Sequence, residues 1–550
     1  MPNRYHLNSL FLLCALLLGT APAAYAQFDT ATILGTVRDN TGAVVPGATV
    51  TLTGIETGIA TTKVTDENGT FEFATVRIGR YRVTAELAGF SIALADNVQA
   101  TVGARQRVEL QLTPGNITET IEVTGAATRL ETDTSERGQV ITGQQVVALP
   151  LNGREYSALA LLSPGVRLSP LNTGSASTVR EGSFNINGLR STFNNFLLDG
   201  IDNNAYGTSN QGYSNQVMQP SPDAVAEFRV VTNNMSAEYG RSAGGTINVS
   251  YRSGTNRFSG AAWEFFRNTD LNATGFFKPA AGKPELDRNQ FGGTLGGPIL
   301  KNRAFFFADV EAFRQTREVV AFQTIATLQQ RQGILTVPVR NPVTGDVYPA
   351  GTPIPMTALA RQVLSALPEP TSAGPANNYS ILQQFTNDTD KFNVKGDLQF
   401  TNALSGFARF GYRDAEIIDN PPLPLPSGGS GNGLTYVTNK QFVSGFTWTR
   451  SGTSLLEGRF GWSRTVAGKN PLALGLPSAL ETYGISGLPS DDRISGGLPT
   501  TVIGGFSDLG RQATNPQWQF PEVFNPKLNY TWVVGQHSLK TGYEFQHINT

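Results

Sequence analysis

The sequence predicts a mainly β chain in three parts: an N-terminal β-sandwich, an α+β domain, and the first part of a transmembrane antiparallel β-barrel. Three observations lead there. The 550 residues include 59 Gly and 32 Phe, and beyond the N-terminus no apolar run reaches the about 18 residues of a membrane-crossing helix. Segment after segment alternates apolar and polar residues with period 2. From residue 257 onward, short and long connections between such segments take turns along the chain.

Residues 1–26 read as a cleaved secretory signal. Arg4 and His6 make a weakly basic start, LFLLCALLLG is an apolar run of about 10 residues where a spanning helix needs ~20, and Ala24-Tyr25-Ala26 gives the small-x-small pattern before Gln27. Cys14 lies inside the apolar run behind Leu13, so lipid attachment is not expected. Without the signal the chain has no cysteine, which excludes disulfides, thiolate zinc sites and cysteine nucleophiles. Of three histidines only His537 and His547 remain, at a spacing that makes no zinc site. No metal, cofactor or catalytic residue is expected, and the chain is not read as an enzyme. A formal charge of −1 gives no basic footprint for nucleic acid.

Residues 27–115 carry short alternating strands broken by turns. Val50 and Leu52 alternate with Thr49, Thr51 and Thr53, and Phe71 and Phe73 flank Glu72, as half-buried strands require. Asp66 to Gly69, DENG, is read as a hairpin turn rather than a calcium loop, because position 12 counted from Asp66 is Arg77 and not a bidentate Glu. GTVRDNTGAVVPGATVTL and TDENGTFEFATVRIGRYRVTAELAGF resemble the carboxypeptidase regulatory-like domain, a transthyretin-like sandwich whose name implies no peptidase activity.

In the linker 116–124, Ile117, Glu119, Ile121 and Val123 share one side and Thr118, Thr120, Glu122 and Thr124 the other. A β-branched segment with unpaired backbone groups can add a strand to a partner's sheet edge. Glu119, Thr120, Ile121, Glu122, Val123 and Thr124 are therefore the docking candidates.

Residues 125–252 mix short helices and strands. Thr142 and Gln145 form a capping box with Ile141 and Val146 placed as a hydrophobic staple, and Ser221-Pro222 reads as an N-cap with proline at the first helical position. Phe196, Leu197 and Leu198 read as a buried strand leading into an Asp199-Gly200 turn. LPLNGREYSALALLSPGV, NINGLRSTFNNFLLDGIDNN and VAEFRVVTNNMSAEYGRSAGGTINVSYRSGTNRFSG resemble, in that order, the plug of TonB-dependent outer-membrane receptors. The resemblance makes the hairpin part of a globular stopper whose surrounding amides bond to a polar barrel interior. Arg190, Arg229 and Arg241 are candidates for a lock against acidic residues on the barrel wall.

Residues 253–550 supply about nine alternating segments, each about 10 residues long, the length of a tilted membrane strand. In FNVKGDLQF, Phe392, Val394, Leu398 and Phe400 oppose Asn393, Lys395, Asp397 and Gln399. Tight turns are expected at Lys301-Asn302, Asn402-Ala403, Ser451-Gly452 and Gly535-Gln536, with long connections at 269–288, 317–390, 415–439 and 466–523. Strict alternation of loop length suits a barrel with short periplasmic turns and long external loops. Plugged transporters of this kind close with about 22 strands, so nine imply a fragment of a longer parent with an open, partial barrel.

The resemblance implies an outer-membrane protein, with plug and N-terminal domain facing the periplasm, that binds an external substrate and imports it with force from TonB, ExbB and ExbD. The extra sandwich looks like that of Oar-like and SusC-like receptors and favours a glycan or peptide, with a surface lipoprotein as a further partner. Tyr483, Trp518 and Phe520 are candidates for stacking on a substrate. The alternative is a surface adhesin or structural barrel that uses its external loops for attachment and needs no energy.

Overall fold

The computed structural model describes residues 30–115, 120–122, 134–169, 182–207, 214–276, 279–429, 431, 433–451, 453–534 and 537–550. The signal, Glu119, Val123, Thr124 and the Gly535-Gln536 turn lie outside the described residues.

The N-terminal part is a two-sheet sandwich. Its strands are β1 (Thr30–Asp39), β2 (Thr49–Gly54), β3 (Ala60–Val64), β4 (Thr70–Arg77), β5 (Gly79–Glu86), β6 (Ile92–Ala100), β7 (Arg105–Arg107), β8 (Leu110–Leu112) and β9 (Thr120–Glu122). One sheet runs β4-β1-β7 with β8 also on β1, the other β3-β2-β5-β6-β9. Val50, Leu52, Phe71 and Phe73 point into the core with Ile33, Val83 and Leu110 between the sheets, while the threonines of β2 stay half-exposed. The 66–69 turn closes as expected: Asp66 Oδ1 accepts the N–H groups of Asn68 (2.9 Å) and Thr70 (2.8 Å), and Gly69 takes a φ of +68°. The linker behaves differently from the expected free segment. Ile92, Ala93 and Leu94 of β6 pair in parallel with Thr120, Ile121 and Glu122, because β6 would otherwise be an open edge of its sheet.

The central domain contains β10 (Arg137–Thr142), β11 (Val166–Leu168), β12 (Phe184–Ile186), β13 (Asn195–Leu198), β14 (Ile201–Asp202), β15 (Val225–Asn233) and β16 (Thr246–Tyr251). Five of these form a mixed sheet in the order β10-β15-β16-β13-β14. The capping box starts the helix Gly143–Ala148, and Ile141 and Val146 are both buried in the domain core with Tyr156, Phe196, Phe228 and Val249. Ser221 and Pro222 take the expected N-cap and first helical positions, but the Ser221 side chain makes no cap hydrogen bond. Only one 3-10 turn, Pro222–Ala224, forms, and the Ser221 hydroxyl instead donates to Asp309 Oδ2 at 3.2 Å.

The third part is one antiparallel sheet in chain order: β17 (Ser259–Asn268), β18 (Leu286–Leu300), β19 (Ala304–Gln323), then, past the small outer hairpin β20 (Val339–Arg340) and β21 (Val347–Tyr348), β22 (Tyr379–Thr401), β23 (Leu404–Asp419), β24 (Gly433–Ser451), β25 (Ser454–Asn470), the short β26 (Gln517–Gln519), β27 (Glu522–Val534), β28 (His537–Glu544) and β29 (His547–Asn549). Among the described residues no pairing joins β17 to β28. The alternation is inside out relative to a soluble sheet. Phe392, Val394 and Phe400 are 39%, 45% and 47% exposed, whereas Asn393, Lys395 and Asp397 are turned inward and buried, as a lipid-facing belt around a polar lumen requires.

Several strands are much longer than the expected ten residues, up to 23 in β22. The long connections shrink accordingly, to 324–378 and 420–432 for the two most affected. Beyond the strands, the loops pack on a small apolar core of Ile325, Leu367, Leu423, Leu498 and Leu509.

Candidate functional site at the inner wall

The central hairpin and the inner face of the barrel sheet meet through buried charges. Leu198 pairs with Ile201 across a two-residue turn, in which Asp199 and Gly200 both have positive φ, +51° and +72°. That geometry matches the right-handed twist of the flanking strands, and it aims the Asp199 carboxylate at the wall. Oδ1 accepts from Lys395 Nζ at 3.1 Å and from the Tyr251 N–H at 3.1 Å; Oδ2 accepts from Arg409 Nε at 2.6 Å. The Asp199 carbonyl accepts from Arg459 Nη1.

Arg409 donates on to Gln441 Oε1 (2.7 Å), and Gln441 Nε2 returns to the Asp202 carbonyl (3.1 Å). Both Asp199 and Arg409 have fully buried side chains. Burial raises the carboxyl of Asp199, but Lys395, then Arg409, then the Tyr251 N–H act against it, and the net result lies below the ordinary carboxylate range. Close approach needs Gly461 on β25, since a Cβ there would stand 2.2 Å from Ile201 Cγ2.

A second contact has the opposite sign. Arg154, from the central domain, donates through Nε to Glu311 Oε2 of β19 at 3.0 Å, pairs with Asp223, and lies over Trp263 with its guanidinium carbon 4.6 Å from the ring centre. Lys391 reaches the other Glu311 oxygen at 2.7 Å. Between the two clusters, Asp309 accepts from Tyr251, Asn393 and Ser221.

Among the described residues, the contacts of the three arginines expected to lock against wall carboxylates run elsewhere. Arg190 is exposed beside the turn Ser191–Phe193. Arg229 pairs with Glu136 of its own domain at 3.5 Å and donates to the Val102 carbonyl of the sandwich. Arg241 donates to Gln546 at 2.6 Å and stacks on Tyr206. In the main cluster the central domain supplies the acid and the wall the cations, so Asp199, singled out only as a turn residue, is the main anchor. Its partners lie 196 and 210 residues downstream, and only the inward phase of β22 and β23 hints at them.

The amides around the hairpin mostly knit the domain itself: Asn203 exchanges hydrogen bonds with Met218 and Asn204 bonds to Asn195. Of the aromatic candidates, Tyr483 packs against the loop core, whereas Trp518 on β26 and Phe520 beside it are 40% and 54% exposed.

A family model of the outer membrane beta barrel domain matches residues 250–550, over half of the chain, and models of the TonB-dependent receptor plug domain and the carboxypeptidase regulatory-like domain match 130–247 and 32–113. The chain belongs to the TonB-dependent receptors. The TonB-dependent transporter Oar of Myxococcus xanthus is 29% identical over 304 residues, which are 52% of this chain and 27% of that protein. Among solved structures, the outer membrane transporter YddB from Escherichia coli gives a TM-score of 0.48 at 14% identity, covering 75% of this chain and 48% of that one. A mutant of the ferric enterobactin receptor PfeA from Pseudomonas aeruginosa gives 0.42 at 12%, covering 75% and 48%. This receptor chain thus spans about a quarter of the length of its curated relative. It resides in the outer membrane with plug and sandwich toward the periplasm, and its relatives are transporters and receptors, not enzymes.

Proposed function

We propose that the intact receptor imports an external substrate, with the plug remodelled by force delivered through TonB, ExbB and ExbD to the segment Glu119–Thr124. The observation that supports this reading best is the Asp199 cluster: a carboxylate with no solvent access, held by two cations from different wall strands. Such a cluster favours the seated plug, because withdrawing Asp199 alone strands buried charges at a cost of about 3–5 kcal/mol. An outer membrane has no nucleotide supply, so the work must be mechanical. Exposed Trp518 and Phe520, near the outer ends of the strands, suit the face of a sugar ring or a peptide aromatic, and a surface lipoprotein would present such a substrate.

The test compares cells carrying the full-length gene with and without TonB. Depletion of a glycan or peptide nutrient from the medium should stop in the TonB-deleted strain. Undiminished function there would favour an adhesin.

A further inference from the structure

The periplasmic side of the plug is covered by the sandwich. Val102, in the turn between β6 and β7, is fully buried, and its peptide groups are gripped from both ends. The N–H donates to Glu227 Oε1 and the carbonyl accepts from Arg229 Nη1 at 3.2 Å. Glu227 and Arg229 stand two residues apart on β15, so they share a face, and both are buried.

Two further contacts flank this grip. Arg77 Nη1 lies 3.2 Å from Asp397 Oδ1 on the wall. Asn256, on the stretch entering β17, donates to the carbonyls of Thr57 (2.7 Å) and Glu56 (3.1 Å). Sandwich, plug and wall together border a cavity of about 600 Å³ lined by, among others, Phe73, Tyr81, Ser250, Asp397 and Gln399. Ser250 Oγ and Asp397 Oδ2 are buried there with no hydrogen bond among the described residues, so the cavity offers them to water or a passing polar group. Among the described residues, the sandwich and the plug keep separate apolar cores. A few polar contacts without a common core are characteristic of a separable interface.

We propose that the sandwich is a second, periplasmic gate, closed on the exit cavity by the Glu227–Val102–Arg229 grip and the Arg77–Asp397 pair, and that it swings off before anything passing the plug can leave. This goes beyond the import reading and does not depend on which substrate is carried. The closed and open states differ in access to Ser250, which lines the cavity.

The experiment uses the full-length protein, freed of other cysteines, in outer-membrane vesicles opened to the periplasmic side. Ser250→Cys is labelled with a membrane-impermeant maleimide, and amide exchange is followed in the same samples. With the gate closed, labelling is slow and the Val102 amide is protected. Glu227→Ala with Arg77→Ala should raise the labelling rate at least about tenfold, the population change expected from losing a charged hydrogen bond, while the core amides of Val50 and Val83 stay protected. Equal labelling rates with and without the two substitutions would overturn the gate. So would a Val102 amide in the unsubstituted protein that exchanges as fast as an open loop, a result independent of how the variants fold.

Discussion

Asp199 does at the residue scale what a surface salt bridge does not. Its side chain and that of Arg409 are wholly buried, so removing the carboxylate leaves Lys395 and Arg409 charged in a dry site, at a cost of about 3–5 kcal/mol. Asp199→Ala in the full-length protein should therefore loosen the hairpin, read as faster amide exchange at Ile201 and Asp202, with the barrel strands unchanged. Gly461→Ala tests the same contact from the wall. A methyl 2.2 Å from Ile201 Cγ2 must push the hairpin away, at about 1–3 kcal/mol, and exchange at Ile201 should rise while Lys395 keeps its partner less well.

Glu227 adds a pH dependence. Burial pushes its carboxyl up to about 7, against the Val102 N–H and the charge of Arg229, with Glu136 the nearest acid across Arg229. A folded value above the ordinary 4.5 means that the folded state keeps the proton longer than the unfolded one. The contribution is fully present below about 4.5 and is lost as pH rises through about 7. Glu227→Gln keeps an acceptor for Val102 and removes the titration, so the melting temperature of the variant should fall less than the parent's between about pH 5 and pH 8.

At the scale of elements, the alternating strands were legible in the sequence because lipid demands an apolar residue at every second position. Phe392, Val394 and Phe400 obey that demand. Strand ends were not legible. Past Thr316, β19 continues through REVVAFQ to Gln323, where both faces are partly exposed and no lipid enforces alternation, so the segment reads as loop. The capping box at Thr142 was readable because all its partners lie within one turn of helix. The N-cap position of Ser221 was equally readable, but the partner of its hydroxyl, Asp309, lies 88 residues away and was not. The pairing partners of Asp199 were hidden for the same reason.

The proposed docking segment belongs to this scale too. Thr120–Glu122 already runs along β6, so a pull on it loads the sandwich first. β-augmentation needs an extended run that can offer its N–H groups to a partner, and Ile121→Pro removes one such group. The variant should lose binding to the TonB C-terminal domain in a pull-down while the barrel folds normally. Retained binding would move the docking site elsewhere.

At the scale of the whole molecule, the domain between β10 and β16 is a stopper in a lumen that would otherwise conduct. Its polar wall is lined by Asn393, Lys395, Arg409, Gln441 and Arg459, all turned inward and buried by the plug, and a lumen with that lining fills with water once emptied. The most direct measurement is single-channel conductance of the full-length receptor in planar bilayers, with and without residues 125–252. The intact protein should hold the bilayer near its resting conductance, and the deletion should open large, steady channels. Equal conductance from the two proteins would contradict the account.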